Sequence, residues 1–101
     1  MSGSLGIFVS SEKHLEKIIN ICKAANPKEI QVSIFFTHLG TMLTKDKRFK
    51  ELEGLAEMGL CKVSFKSNGL EPPAPGIGPG GFSTQSYHSE ILEKCDRYLV
   101  F

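Results

Sequence analysis

The chain has no apolar run near the roughly 20 residues that a membrane helix requires. Its start also lacks a basic segment leading into a long apolar core and a small-residue cleavage site. These absences argue against a membrane span and a secretory leader, so a soluble, cytoplasmic protein is expected. Neither sign of charge is in excess: twelve Lys and Arg against eleven Asp and Glu leave a formal net charge of +1. That balance gives no long-range attraction to nucleic acid or to an anionic membrane. Cysteine is sparse, at three residues. Cys22, Cys61 and Cys95 are odd in number and include no Cys-x-x-Cys pair, which argues against a disulfide framework and a structural zinc site. Free thiols are expected. His14, His38 and His88 show no metal-ligand spacing, so no metal is expected, and no cofactor.

What is present is an ordinary globular balance, with 101 residues, 41% of them hydrophobic and 23% charged. That suffices for one α/β domain spanning 1–101 with one core, short enough to gain from subunit association. The most informative stretch is Gln31-Val32-Ser33-Ile34-Phe35-Phe36, which stops abruptly at Thr37-His38-Leu39-Gly40. A central strand buried on both faces and ending in a loop reads this way. Before it, Leu5-Gly6-Ile7-Phe8-Val9 reads as a strand. Ser10-Ser11 then offers a side-chain oxygen to cap a helix over 12–25, whose apolar face carries Leu15, Ile18, Ile19, Cys22 and Ala25 at three- and four-residue steps. Asn26-Pro27 ends that helix. Ser2-Gly3-Ser4 is left out of the fold.

After Gly40 the pattern predicts one helical turn, then a helix from about Asp46 carrying Phe49, Leu52, Leu55 and Ala56 and stopped by Gly59. A short alternating third strand is predicted over 61–65. From 67 to 86, prolines and glycines crowd together and no regular element is expected. A helix over 86–95 and a strand over 97–101 close the chain. Strands alternating with crossover helices imply a small, doubly wound, mainly parallel sheet of four or five strands with helices on both faces. For four strands the simplest doubly wound order is 2-1-3-4.

The order of these segments carries a resemblance. A first helix ending at Ala24-Ala25, Val32-Ser33-Ile34-Phe35-Phe36-Thr37 with Gly40, Glu51-Leu52-Glu53-Gly54-Leu55-Ala56-Glu57-Met58-Gly59, and Cys95-Asp96-Arg97-Tyr98-Leu99-Val100-Phe101 together resemble the DsrE-like (DsrE/DsrF-like, TusD-like) family of small sulfur-relay proteins. The likeness covers most of the chain. It implies a flavodoxin-like sheet, association into a homo-oligomer (dimer, trimer or hexamer) or with related subunits and, in catalytic members, a persulfide on a cysteine just after the third strand. On the predicted strand, Val63-Ser64-Phe65-Lys66-Ser67 occupies that place and holds no thiol. Cys61 would lie at the start of the strand, about 13 Å from the carboxyl end at 3.3 Å per residue.

In open α/β sheets ligands bind outside the carboxyl ends of the strands. On that rule Ser10, Ser11, Thr37, His38, Gly40, Lys66 and Ser67 are the candidate ligand-binding residues. His38 and Cys61 are the candidates for chemistry, an imidazole able to move a proton near neutral pH and a thiol beside Lys62. Plainer readings stand beside these: His38 as a turn residue, Ser67-Asn68-Gly69 as turn chemistry, and all three thiols as packing or interface groups. The Gly76-Ile77-Gly78-Pro79-Gly80-Gly81 stretch offers an anion nest or a subunit contact, with Phe82 and Tyr87 as anchors. It is not the dinucleotide fingerprint, which joins a first strand to its helix. The favoured function is a binding or assembly subunit linked to sulfur relay or redox, without a persulfide cysteine. The alternatives are a sulfur carrier using Cys61 or another thiol, and a small-molecule binder using the strand-end crevice.

Overall fold

The computed structural model describes residues 3–72, 74, 76, 77, 82, 83 and 85–101, with the backbone alone at 82, 83 and 85–89. The elements are β1 (Gly3–Val9), α1 (Leu15–Ala25), β2 (Ile30–Phe36), β3 (Glu57–Cys61), α2 (Lys62–Ser67), β4 (Phe82–Ser83), α3 (Gln85–Lys94) and β5 (Arg97–Val100). All strand pairs are parallel, in the order β4-β3-β2-β1-β5. This is a small doubly wound α/β sheet. Leaving aside the two-residue β4, the order is 3-2-1-4 in place of the expected 2-1-3-4. The chain steps outward from β1 to β4 and then crosses back beyond β1.

Alternation along each strand sorts the side chains into two cores. Ile7, Val9, Ile34, Phe36, Met58 and Leu60 point to one face, where they meet Leu15, Ile18, Ile19 and Cys22 of α1 together with Phe49 and Leu52. Phe8, Phe35 and Cys61 point to the other and meet Ile91 of α3, with Cys95 alongside. As expected for a central strand, β2 is buried from Val32 to Phe36. Phe35 and Phe36 are fully buried on opposite faces. Each contributes about 1.5–3 kcal/mol through burial.

Several local expectations need correction. Gly3 and Ser4 belong to β1, paired with Ile30 and Gln31. The cap of α1 is His14, without a side-chain hydrogen bond. The chain passes Pro27 in a 3₁₀ turn, Asn26–Lys28, before Glu29 takes a left-handed φ of 58°. No α-helix crosses from β2 to β3. Two 3₁₀ segments do so, His38–Lys45 and Lys47–Leu52, the second capped by the Asp46 side chain on the Arg48 N–H at 2.9 Å.

The largest correction concerns the third strand. It runs over Glu57–Cys61, with Gly59 paired to Phe35 in its interior and not stopping a helix. The residues read as that strand turn instead into α2, where Phe65 is buried and Val63 is 70% exposed. Cys61, Val63 and Phe65 alternate as on a strand, but the i, i+4 pair Cys61 and Phe65 also suits a helix, on which Val63 turns outward. What decides is that Met58 and Leu60 fill the core beside Ile34 and Phe36.

Within the proline- and glycine-rich stretch, some of the described residues are held in the fold. Leu70, Ala74 and Ile77 are buried in the larger core, and Ala74 bridges Ile77. Phe82 and Ser83 add to the sheet beside Leu60 and Cys61. Of the stretch Gly76 to Gly81, where a nest was expected, Gly76 and Ile77 are described; the remainder, and anchoring by the Phe82 and Tyr87 side chains, lie outside the described residues. So does the His88 side chain.

Candidate functional site

Register places the site. Val9 pairs with Phe36 and Phe36 with Leu60, so the next residues, Ser10, Thr37 and Cys61, form a row across the carboxyl ends of β1, β2 and β3. Neighbouring strands stand about 4.8 Å apart. Cys61 is thus at the crevice end of the sheet, the opposite of the sequence-based expectation, and the 13 Å displacement disappears. It is followed at once by α2, whose first turn carries Val63 and Ser64.

Cys61 is 8% exposed and its thiol is surrounded by donors. Burial raises its pKa, but hydrogen bonds from the Ser64 side chain, the Ser64 and Val63 backbone and the Thr37 side chain favour the thiolate and outweigh it. The net displacement is downward, toward a more nucleophilic sulfur at neutral pH. The Thr37 and Ser64 hydroxyls are 3.5 Å from each other. The other thiols differ. Burial pushes the Cys22 thiol up to about 11. Cys95 is also displaced upward, chiefly by burial and further by Asp96 and Glu57, against the opposing effects of Lys94 and a Ser4 hydrogen bond. All three cysteines are unpaired.

The segment after β2 is held closely. The Thr37 N–H donates to the Val9 carbonyl at 2.8 Å, and the Gly40 N–H returns to the Thr37 carbonyl at 2.8 Å. His38 between them adopts a left-handed φ of 48°, uncommon for a residue with a side chain. Its carbonyl accepts from Thr41 Oγ1 at 3.0 Å and from Asn68 Nδ2 at 2.8 Å. Gly40 is buried against β1, where a Cβ would overlap the Val9 carbonyl. Its role there is close packing.

The exposed His38 side chain lines a groove of about 440 Å³ with Leu39, Val63, Ser64, Ser67 and Asn68. Ser64 is therefore both a wall of this groove and a donor to Cys61. Thr37 also borders a second, more apolar hollow of about 370 Å³ on the α3 side, with Phe8, Ser10, Leu92, Tyr98 and Val100. Of the expected ligand-binding residues, Ser10, Thr37, His38 and Ser67 reach these two hollows. Ser10 bonds the end of the chain, its N–H reaching the Phe101 carbonyl at 2.8 Å. The Ser11 hydroxyl accepts from the Lys13 N–H at 3.2 Å, away from the cap position it was expected to fill. Lys66 and Ser67 lie on α2 and not at a strand end, and Lys66 borders a separate hollow with Leu70 and Pro72.

Sequence reasoning missed Ser64 and Thr41, and the role of Asn68. Ser64 was hidden inside the expected strand. A helix starting at Lys62 brings the third residue after Cys61 back over it, so the Cys-x-x-Ser spacing was the available signal. For Asn68 the sequence offers a polar binding group at a strand end or turn chemistry, and neither is the tie to His38 and Thr41 that the structure shows. Comparison with protein-family models, with curated proteins and with solved structures finds no match.

Proposed function

We propose that the chain is a DsrE-like sulfur carrier in which Cys61 takes up sulfane sulfur as a persulfide and hands it to a second thiol. The observation that carries this reading is the position of Cys61. It closes β3 at the carboxyl rim, and hydrogen bonds from Thr37, Val63 and Ser64 hold its thiol below the ordinary value despite burial. The resemblance implies a cysteine just after the third strand in a catalytic member, and Cys61 is the last residue of that strand. The Cys61 thiolate attacks the outer sulfur of a donor R–S–SH. A Cys61–sulfur bond forms, the donor's sulfur–sulfur bond breaks, and R–S⁻ leaves to take a proton. No net oxidant is consumed. Transfer onward repeats the exchange with an acceptor thiolate attacking the outer sulfur on Cys61.

Association with further copies or related subunits belongs to the same reading. Strand β5 is a sheet edge with Tyr98, Leu99 and Val100 exposed by 56%, 40% and 69%. Unpaired cysteines suit a reducing compartment, which supports a cytoplasmic placement. Among the described residues no helix is long and apolar enough to cross a membrane.

A second reading, a binding or assembly subunit without sulfur chemistry, is favoured by the low exposure of Cys61, 8%. Incubating the full chain with a persulfide donor, and reading intact mass for it and for variants with each cysteine replaced by serine, separates the two. The carrier reading requires that uptake be lost with Cys61→Ser and kept with Cys22→Ser and Cys95→Ser. Uptake by none of the chains leaves the binding subunit.

A further inference from the structure

We infer that Asn68 is a positioning residue that clamps the segment after β2 to α2 and so keeps the Thr37 and Ser64 hydroxyls together on Cys61. This rests on reading Cys61 as the reactive thiol. The two donors come from different parts of the chain: Thr37 follows β2, whereas Ser64 sits in the first turn of α2. The hydroxyls meet at an oxygen–oxygen distance of 3.5 Å, at the outer limit of a hydrogen bond. Such a contact cannot by itself hold two segments in register.

Asn68 supplies the stronger tie. From the C-terminal cap of α2, its Nδ2 donates to the His38 carbonyl and to Thr41 Oγ1, each at 2.8 Å. Thr41 is fully buried and itself donates to the His38 carbonyl at 3.0 Å. One side-chain amide thus closes a triangle around a carbonyl whose residue has the uncommon left-handed φ of 48°. Backbone conformations of this kind persist only where surrounding contacts over-determine them, and they cluster at functional sites. Because His38 directly follows Thr37, relaxation of its φ rotates the peptide that joins them and moves the Thr37 hydroxyl relative to Cys61. On the other side, loss of the amide frees the end of α2 from the loop that faces Ser64 across the groove.

The test is the pH midpoint of Cys61 alkylation by iodoacetamide in the full chain, read at the Cys61 peptide by mass spectrometry. Asn68→Ala is expected to raise the midpoint by about half to one pH unit, the loss of one hydrogen bond to the thiolate. Thr41→Val opens the same triangle from its buried side and is expected to do likewise, so the question survives if Asn68→Ala fails to fold. Asn26→Ala, at the opposite end of the sheet beside Ile30 and Gln31, is expected to leave the midpoint unchanged. If Asn68 acts through Thr37, Asn68→Ala added to Thr37→Val raises it no further than Thr37→Val alone. A variant that melts at lower temperature with an unchanged Cys61 midpoint, or fully additive shifts, overturns the inference. Alkylation reads the thiol itself, so failure of sulfur uptake by the unaltered chain counts against the carrier reading without touching the Asn68 result.

Discussion

Thr37, directly after β2, and Cys61, the last residue of β3, stand side by side on the carboxyl rim of the sheet, where the Thr37 side chain favours the charged form of the Cys61 thiol. Neither residue is unusual alone. Together with Ser64 they make a buried sulfur whose charged form is stabilised by hydrogen bonds.

Removing these hydroxyls should slow the sulfur's reactions. Ser64→Ala supplies no side-chain donor, and Thr37→Val keeps the shape of threonine without its hydroxyl. Each is expected to raise the Cys61 pKa, and a one-unit rise lowers the thiolate fraction about tenfold at a pH below the midpoint. Stopped-flow alkylation at neutral pH measures the rate. A rate equal to that of the unaltered chain in both variants would show that the hydroxyls do not tune the thiol.

Cys22 should behave in the opposite way. It is fully buried on the apolar face of α1, and burial pushes its thiol up to about 11. It is expected to resist alkylation in the folded chain and to react once urea unfolds it. Cys22→Ser buries a hydroxyl in an apolar setting and is expected to cost about 1–3 kcal/mol, measured by urea titration.

Much of this arrangement could be read from the residues, and the failures have physical causes. The run Val32 to Phe36, apolar except at Ser33, reads as a central strand because it is short, rich in β-branched and aromatic residues and bounded by turn-prone ones. The apolar face of α1 was visible at its helical spacing. The third strand was misplaced because Cys61, Val63 and Phe65 alternate like a strand while only Phe65 and Cys61 are buried. Gly59 has the look of a helix stop, yet it lies mid-strand against Phe35. The thiol that appeared to be missing from the rim was therefore present, four residues upstream of where it was sought. Asn68 could not be identified as a clamp, because its partners, His38 and Thr41, are thirty and twenty-seven residues away.

Gly40 gives a test of the backbone packing beneath the site. A side chain there would overlap the Val9 carbonyl, which is backbone and cannot swing aside. Gly40→Ala is expected to destabilise the fold by about 1–3 kcal/mol, as overpacking does in well-packed interiors. Urea unfolding monitored by far-ultraviolet circular dichroism checks it, and an unchanged midpoint would contradict this packing.

Acid sensitivity should have a source far from the thiol. Glu51 accepts from Arg48 Nε at 2.8 Å and from Lys23 Nζ at 2.9 Å. Hydrogen bonds from Arg48 first and then Lys23 lower its carboxyl from 4.5 to about 2. A carboxyl that titrates lower folded than unfolded adds stability above its unfolded pKa and loses it as pH falls through the folded one. The expected loss therefore runs from about pH 4.5 down to about pH 2. Melting temperatures of the unaltered chain and Glu51→Gln across that window should converge as pH falls, and a constant gap would contradict the assignment.

The most direct test is to locate transferred sulfur by peptide mapping after brief exposure to a persulfide donor, then to add an excess of a small thiol and map again. The expected result is one added sulfur atom on the Cys61 peptide that disappears on the second step. Sulfur found on Cys95 or Cys22 with none on Cys61, or sulfur on Cys61 that the second thiol cannot remove, would contradict a carrier working through Cys61.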